Sequence, residues 1–426
     1  MSNKKEPKKT KIRVVGIGGG GSSIVSEMTP RISKRSVTFA SANTDQQDLE
    51  EVPKKCKTFE FGKKVTRGLG TGMDPELGKS AAKEAEGKIK SLFDDKDLSI
   101  LVATLGGGVG SGATPVFAKL AKSLDNTTIG VFTLPFEFEG DKKKKIAQES
   151  LEEIKPYLSS YSVIPNERIF DLTDSDSKKI DKDTPLTEAF SAMNIILADF
   201  LEGLIEILYS PGTINIDWAD LETVLNGQRK LAYLNSVVKE GPQKARKAAK
   251  EVLDSPLYDY EVDGAERILY NIVGGKDLKI TEVEKVSNII SDVNNRAKII
   301  FGVSQDNDYE GQIKVTVLGV GCEDEDEIEE KQEEKQKEDE IKEEEQDEEE
   351  QQEEQEQQEE ESNDQKEEPE QEQEEEIEKQ EEQEEEEEKS RRSALDLKEK
   401  EEEAEEKIKE EEEKWDPPAF LRRGEE

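Results

Sequence analysis

Histidine is absent from all 426 residues, and cysteine occurs only at Cys56 and Cys322. Without histidine there is no Ser-His-Asp or Cys-His relay and no imidazole metal ligand. The two thiols lie far apart and in no CxxC pattern, so neither a zinc ribbon nor a disulfide framework is indicated. No apolar run approaches the ~18–20 residues of a membrane span. Residues 1–10 are lysine-rich and lack the apolar core of a signal peptide, and the expectation is a cytoplasmic protein. Basic residues are outnumbered, 61 against 103 acidic, for a net charge of −42. No basic stripe is available to displace counterions from a nucleic acid.

The acidity is uneven. After Cys322 lie 55 of the 103 acidic residues and 16 of the 61 basic ones, which leaves 48 against 45 in the first 322. That is a globular body carrying an acidic tail. Between residues 323 and 392 the only large apolar side chains are Ile328, Ile341 and Ile377, too few to offset the cost of ordering the chain, so disorder is expected there. At the far end the composition changes to Trp415-Asp416-Pro417-Pro418-Ala419-Phe420-Leu421-Arg422-Arg423.

In the body, β-rich runs at residues 12–17, 37–42, 99–104 and 128–134 alternate with helical patterns at 75–93, 112–124 and 141–157. This alternation predicts an α/β fold with a parallel, doubly wound sheet. A long helix follows, with Leu186, Phe190, Met193, Leu197, Leu201, Leu204 and Leu208 on one face. Helices at 218–225, 242–254 and 281–293 with strands at 267–273, 298–303 and 312–320 predict a second, smaller α/β domain. The expected organisation is a flexible extension (1–10), a nucleotide-binding domain (11–183), the central helix (184–209), the second domain (210–322), a disordered linker (323–411) and a terminal peptide (412–426).

Two glycine clusters stand directly after strands: Gly16-Ile17-Gly18-Gly19-Gly20-Gly21-Ser22-Ser23 and Gly106-Gly107-Gly108-Val109-Gly110-Ser111-Gly112. Glycines let a backbone approach a ligand closely, and a following helix start offers free N–H groups to an anion. Two such turns in one sheet suggest a ligand with several phosphates. Neither contains GxxxxGK[ST], which excludes the ordinary P-loop. The first matches GxGxxG, and a dinucleotide-binding oxidoreductase is the reading that match alone would favour. Asn43, however, stands where such an enzyme places an acid for the ribose. As residue types, Asp217 and Asp220 fit either a helix cap or the orientation of a water molecule.

The second cluster resembles the GGGTGTG signature of the tubulin/FtsZ family. Further matches follow in that family's order: Thr66-Arg67-Gly68-Leu69-Gly70-Thr71-Gly72 with Asp74-Pro75, then Pro135-Phe136-Glu137-Phe138-Glu139-Gly140, Val163-Ile164-Pro165-Asn166 and Asn215-Ile216-Asp217-Trp218-Ala219-Asp220. The resemblance covers about residues 11–321 and the terminal peptide. It implies a GTPase that binds GTP with Mg²⁺, polymerises head-to-tail with copies of itself and organises the division ring at midcell. Residues 18–23 (Gly18, Gly19, Gly20, Gly21, Ser22 and Ser23), Gly70, Gly72 and residues 106–112 would surround the phosphates, with Lys143 beside them. Asn43, Glu139, Asn166, Asn194 and its neighbour Ile195 would face the base and sugar. Asn215, Asp217 and Asp220 would reach the nucleotide of the next subunit and enable hydrolysis.

The resemblance also implies that Asp416, Pro418, Phe420, Leu421 and Arg422 bind a membrane adaptor protein, without insertion of the chain itself into the membrane. Several positions depart from the family pattern. Val109 replaces a Thr, Ser111 another Thr, Ser22-Ser23 a Gly-Asn pair, Lys143 an Arg and Ile195 an Asp. On Val109, Lys143 and Ile195 the rival reading is a polymerising nucleotide-binding scaffold or paralogue with weak turnover.

Overall fold

The computed structural model describes residues 10–171, 180, 183–209, 212–225 and 229–322, all within a compact unit that runs to Lys331. The expected linker and the whole adaptor peptide, including Asp416, Pro418, Phe420, Leu421 and Arg422, lie outside the described residues.

The chain begins with β1 (Ile12–Ile17), α1 (Gly18–Met28), β2 (Val37–Asn43), α2 (Gln46–Glu50), β3 (Lys57–Glu60), α3 (Lys63–Thr66), α4 (Pro75–Glu84) and α5 (Glu86–Phe93). It continues through β4 (Leu98–Thr104), α6 (Gly108–Lys122), β5 (Thr127–Leu134), α7 (Asp141–Ile154) and β6 (Ser160–Pro165). After these come α8 (Leu186–Tyr209), β7 (Gly212–Ile214), α9 (Trp218–Leu225), β8 (Lys230–Glu240), α10 (Lys244–Leu253), β9 (Arg267–Gly274), α11 (Ile280–Val293), β10 (Lys298–Gln305) and β11 (Gln312–Cys322).

Among the described residues the strands form one sheet in the order β3-β2-β1-β4-β5-β6-β8-β11-β9-β10-β7. From β3 to β6 every pairing is parallel. Ile12, Val14, Val15 and Ile17 of β1 are fully buried, as expected for a strand covered on both faces. Beyond β6 the sheet is mixed: β11 runs antiparallel to β8 and β9, β9 and β10 are parallel, and β10 and β7 are antiparallel.

The seam between the two halves is narrow. β6 and β8 share only Ser160↔Lys230 and Tyr161↔Leu231, and two buried tyrosines extend it. The Tyr260 hydroxyl accepts from Val163 N–H (3.3 Å) and donates to the Ala232 carbonyl (3.1 Å). The Tyr258 hydroxyl donates to the Leu234 carbonyl at 2.7 Å. Burial pushes both phenols well above their ordinary range, so they stay neutral donors.

Helix α8 crosses the molecule. Its 24 residues make it about 36 Å long. Near its start, Phe190 meets Phe136, just past the C-terminal end of β5, with ring centroids 5.3 Å apart. At its end the Tyr209 hydroxyl donates to the carbonyl of Thr10, just before β1 begins. The helix thus runs from the C-terminal edge of the parallel strands to their N-terminal edge.

Candidate functional site

Five parallel strands deliver their following turns to one edge. Gly18, after β1, has φ +75°, and a Cβ there would come 3.0 Å from the Gly110 nitrogen in the turn after β4. A Cβ on Gly108 would collide with Thr71 Oγ1 at 2.1 Å, which brings in the Gly70–Gly72 loop. Gly106, with φ +99°, lies against the Lys143 carbonyl and Pro135 after β5. Glu137 N–H donates to Glu167 Oε2 at 3.2 Å, linking that turn to the Asn166 turn after β6.

The glycine clusters are not loops ahead of helices, as the sequence suggests. They are the first turns of the helices themselves, since α1 begins at Gly18 and α6 at Gly108 rather than Gly112. Close packing is the reason. A Cβ would fall 2.1 Å from Thr104 Oγ1 at Gly20, 2.3 Å from the Val102 carbonyl at Gly21, 2.3 Å from the Thr104 carbonyl at Gly110 and 1.9 Å from the Pro75 carbonyl at Gly112. These positions seat α1 on β4 and α6 against α4. Gly107 and Gly72 are different, because a Cβ there would meet nothing within 4 Å, and at Gly19 and Gly70 it would meet only Asp48 (3.3 Å) and Asp45 (3.7 Å). Open backbone of this kind leaves room for a ligand.

Neither helix has a side-chain cap: the N-cap residues are Ile17 and Gly107. Each therefore presents unpaired N–H groups and the positive end of its dipole at this edge. Three hydroxyls of the two clusters are committed elsewhere. Ser111 Oγ accepts from Gly106 N–H at 2.8 Å, Ser22 Oγ accepts from buried Ser41 at 2.6 Å, and Ser23 Oγ donates one turn back to Gly19 at 3.1 Å. Val109 lies buried in the first turn of α6 and offers only its backbone.

Pro115 interrupts α6 and cannot donate to the Ser111 carbonyl one turn earlier. Ser150 Oγ of α7 supplies that bond at 2.8 Å, pinning α7, and Lys143 with it, against the glycine helix. Lys143 Nζ pairs with Glu139 Oε2 at 2.6 Å, while Glu139 Oε1 accepts from Phe136 N–H at 2.9 Å. The cation is held beside the Gly106 turn, and Glu139 is fixed as an acceptor.

Asn43 is buried and tied into its own turn. Its amide donates to Asp48 Oδ2 at 2.7 Å, and Oδ1 accepts from Thr44 N–H at 2.8 Å. Asp48 is the residue the sequence did not single out: it orients Asn43 and borders Gly19. Asn166 is only 3% exposed, and its side chain has no hydrogen-bond partner among the described residues. Asn194 stands one turn after Phe190 on α8, with exposed Ile195 beside it.

Asn215, Asp217 and Asp220 are not part of this edge. They follow β7, the outermost strand of the sheet. The segment carrying them is anchored at the N-terminal ends of the parallel strands, through Tyr209 to Thr10 on one side and Arg229 N–H to the Ser159 carbonyl (3.2 Å) on the other. From Phe190 to Tyr209 the helix covers roughly 30 Å. Within one chain the two sets are therefore on opposite ends. Asn215 Oδ1 accepts from Gly212 N–H at 2.8 Å. Asp217 and Asp220 cap α9 reciprocally: Asp220 N–H donates to Asp217 Oδ1 at 2.9 Å, and Asp217 N–H to Asp220 Oδ2 at 3.1 Å. The cap uses one oxygen of each carboxylate and leaves the other available.

The Tubulin/FtsZ family GTPase domain matches residues 11–174, and the FtsZ family C-terminal domain matches residues 231–323. The chain is similar to an empty FtsZ dimer from M. jannaschii, with 34% identity over 74% of this chain and 89% of that one and a TM-score of 0.67. This chain belongs to the tubulin/FtsZ family. A tryptophan-to-tyrosine mutant of M. jannaschii FtsZ gives 35% identity over 74% and 91% of the two chains, with a TM-score of 0.67. CetZ2 from Haloferax volcanii, in a GTPγS-bound protofilament, shares the fold at 22% identity, 75% and 96% coverage and a TM-score of 0.63. The chain is accordingly a GTPase of the tubulin/FtsZ type, and the glycine turns at the C-terminal strand edge fall within the matched GTPase domain. Among the described residues no cluster of three acidic or cysteine side chains could hold a metal, and no helix is long and apolar enough to cross a membrane.

Proposed function

We propose that this chain is an FtsZ-like GTPase that polymerises head-to-tail into filaments organising a division ring at midcell, with GTP hydrolysed only where two subunits meet. The observation that carries the reading is the placement of Asp217 and Asp220 at the end of the molecule opposite the glycine helices. A second copy stacked on the first would bring them together.

In this reading the amide groups of α1 and α6 receive the phosphates, and Lys143 adds a point charge. Asn166, Asn194 and the Glu139 carboxylate lie toward base and sugar. Bound Mg²⁺ would neutralise charge there; no acidic cluster among the described residues forms a dedicated cage for it. The free oxygens of Asp217 and Asp220 from the next subunit orient the attacking water. The acidic tail would tether the adaptor-binding peptide at a distance from the filament.

Asn caps a helix about as well as Asp, so Asp217→Asn separates the cap from the chemistry. Its expected behaviour is unchanged melting and GTP binding with loss of most phosphate release. Wild-type turnover per molecule should rise with protein concentration. Full turnover in Asp217→Asn, or a rate independent of concentration, contradicts the composite site. A scaffold with weak turnover is the second reading. It is favoured by Val109, which offers no hydroxyl, and by Ile195, which offers no acceptor; phosphate release from assembled protein distinguishes the two.

A further inference from the structure

The first 322 residues balance 45 basic against 48 acidic side chains, yet the fold gathers five cations at one corner. At the N-terminal edge of the parallel strands, the turn before β2 exposes Lys34 and Arg35. The connection into β3, with the first residue of that strand, exposes Lys54, Lys55 and Lys57. β2 and β3 are paired neighbours, and buried Cys56 lies against Thr29 at the end of α1, which draws the two connections together. None of the five cations has a carboxylate within 4 Å among the described residues. Glu50 and Glu51 belong to the same connection but stand at its other end, beside α2. Neither connection exposes a large apolar side chain, so the corner offers charge without the aromatic anchor that a folded partner uses. Helix α10 carries a second set, Arg246, Lys247 and Lys250, but it is smaller and has Glu251 beside it.

The described chain ends on the same edge. Cys322 pairs with Leu231, and Leu231 with Tyr161 near the start of β6. Six strand spacings separate β11 from β2, roughly 30 Å at ~4.8 Å each. Past Cys322, residues 338–350 carry ten acidic side chains against Lys342 alone. They begin 16 and end 28 residues beyond Cys322, where a flexible chain spans roughly 20–30 Å. The nearer acidic run, 323–330, has spanned only about 16 Å at its end.

We propose that residues 338–350 dock, in their own chain, on the corner formed by Lys34, Arg35, Lys54, Lys55 and Lys57. Tethering sets an effective concentration of about a millimolar, which favours this segment over free polyanions of similar charge. The contact is a sum of exposed ion pairs, each weak and screened by salt, so ionic strength reverses it. Docking moves the root of the tether to residue 351, beside β2 and β3, and takes 28 residues out of its reach. Salt or a competing polyanion lengthens it again. The inference goes beyond the GTPase reading and does not depend on it.

The test uses full-length protein without nucleotide, in about 0.02 M and about 0.5 M salt. A free acidic chain contracts as salt screens its self-repulsion, whereas a docked one is released. The wild-type radius of gyration, from small-angle X-ray scattering, should therefore rise with salt, at least ~1.1-fold. Lys34→Glu/Arg35→Glu/Lys54→Glu/Lys55→Glu/Lys57→Glu should start expanded and contract. All five side chains are exposed, so its melting and GTP binding should match wild type. A chain with the ten acids of 338–350 replaced by their amides leaves the body untouched and should also lose the rise. Carbodiimide, which joins amines to carboxylates in contact, should couple Lys34, Lys54, Lys55 or Lys57 to residues 338–350 at low salt. In a mixture of isotope-labelled and unlabelled protein, both ends of each coupling should carry the same label.

A wild-type radius that falls with salt overturns the proposal, as do couplings to Lys247 and Lys250 instead. Couplings that join labelled to unlabelled chains also overturn it, because the occupant is then a second copy. The two-subunit site is untouched by any of these results, since no nucleotide is present.

Discussion

Gly107→Asp should make the protein more stable and nearly unable to bind GTP. Gly107 is the N-cap of α6, with extended backbone (φ −94°, ψ 172°) and no capping side chain, and a Cβ there meets nothing within 4 Å. An aspartate fits without strain and can accept from the first-turn amides. Replacing Gly by Asp at an N-cap is worth a few tenths of a kcal/mol, and a negative charge at the dipole's positive end adds about 0.3–1 kcal/mol. Together they correspond to a rise of about 1–2 °C in Tm for a unit of this size.

The same carboxylate occupies the place proposed for a phosphate. Two unit charges 4 Å apart repel by about 1 kcal/mol in water and about 4 kcal/mol at the effective dielectric of a protein surface. GTP affinity should therefore fall by about 5- to 1,000-fold, before counting the amides withdrawn into the cap. Differential scanning fluorimetry of nucleotide-free protein and titration with a fluorescent GTP analogue read the two effects separately. A lower Tm with undiminished GTP affinity would refute the claim that α6 is left uncapped for a ligand.

Gly112→Ala should behave oppositely in the melt, losing about 1–3 kcal/mol, because overpacking here drives a methyl group against the backbone of α4; the check is the nucleotide-free Tm. Burial pushes the Cys56 thiol up to about 11 and Cys322 to about 12. The folded state thus resists ionisation that the unfolded chain permits, so stability should be level below pH 9 and fall between pH 9 and 12. Urea melts across that range, compared with Cys56→Ser and Cys322→Ser, measure the contribution. A chain ending at Cys322 should keep GTP turnover and sedimentation but lose recruitment by the membrane adaptor, scored by vesicle co-sedimentation with the adaptor present.

Much of this is legible in the residues. The runs at 12–17 and 218–225 are strand and helix as the periodicity indicates, because burial on both faces and an Asp-x-x-Asp cap leave plain marks. Four features are not legible. The helical pattern at 75–93 breaks at Ala85, which leaves helical geometry (φ −103°, ψ 11°), with no proline to mark the break. Strand β8 is hidden because Asn235 and Ser236 interrupt its apolar run. The structure shows why they are tolerated: Asn235 donates to the carbonyls of Glu251 (3.2 Å) and Val252 (3.1 Å) at the end of α10.

Glycine roles are the third. One residue type serves both the packing of helix on helix and the open backbone facing a ligand, and only the neighbours of the missing Cβ tell Gly112 from Gly107. The opposition of the two site halves is likewise hidden. It arises from the length of α8 and the sheet order, neither of which a motif contains.

The most direct measurement mixes Asp217→Asn, which keeps its glycine helices and nucleotide, with Gly107→Asp, which keeps Asp217 and Asp220. Each alone should release almost no phosphate from GTP. Combined, they should recover turnover that scales with the concentration of whichever is scarcer. A mixture as inactive as its components, or an Asp217→Asn protein as active as wild type, would contradict the two-subunit site.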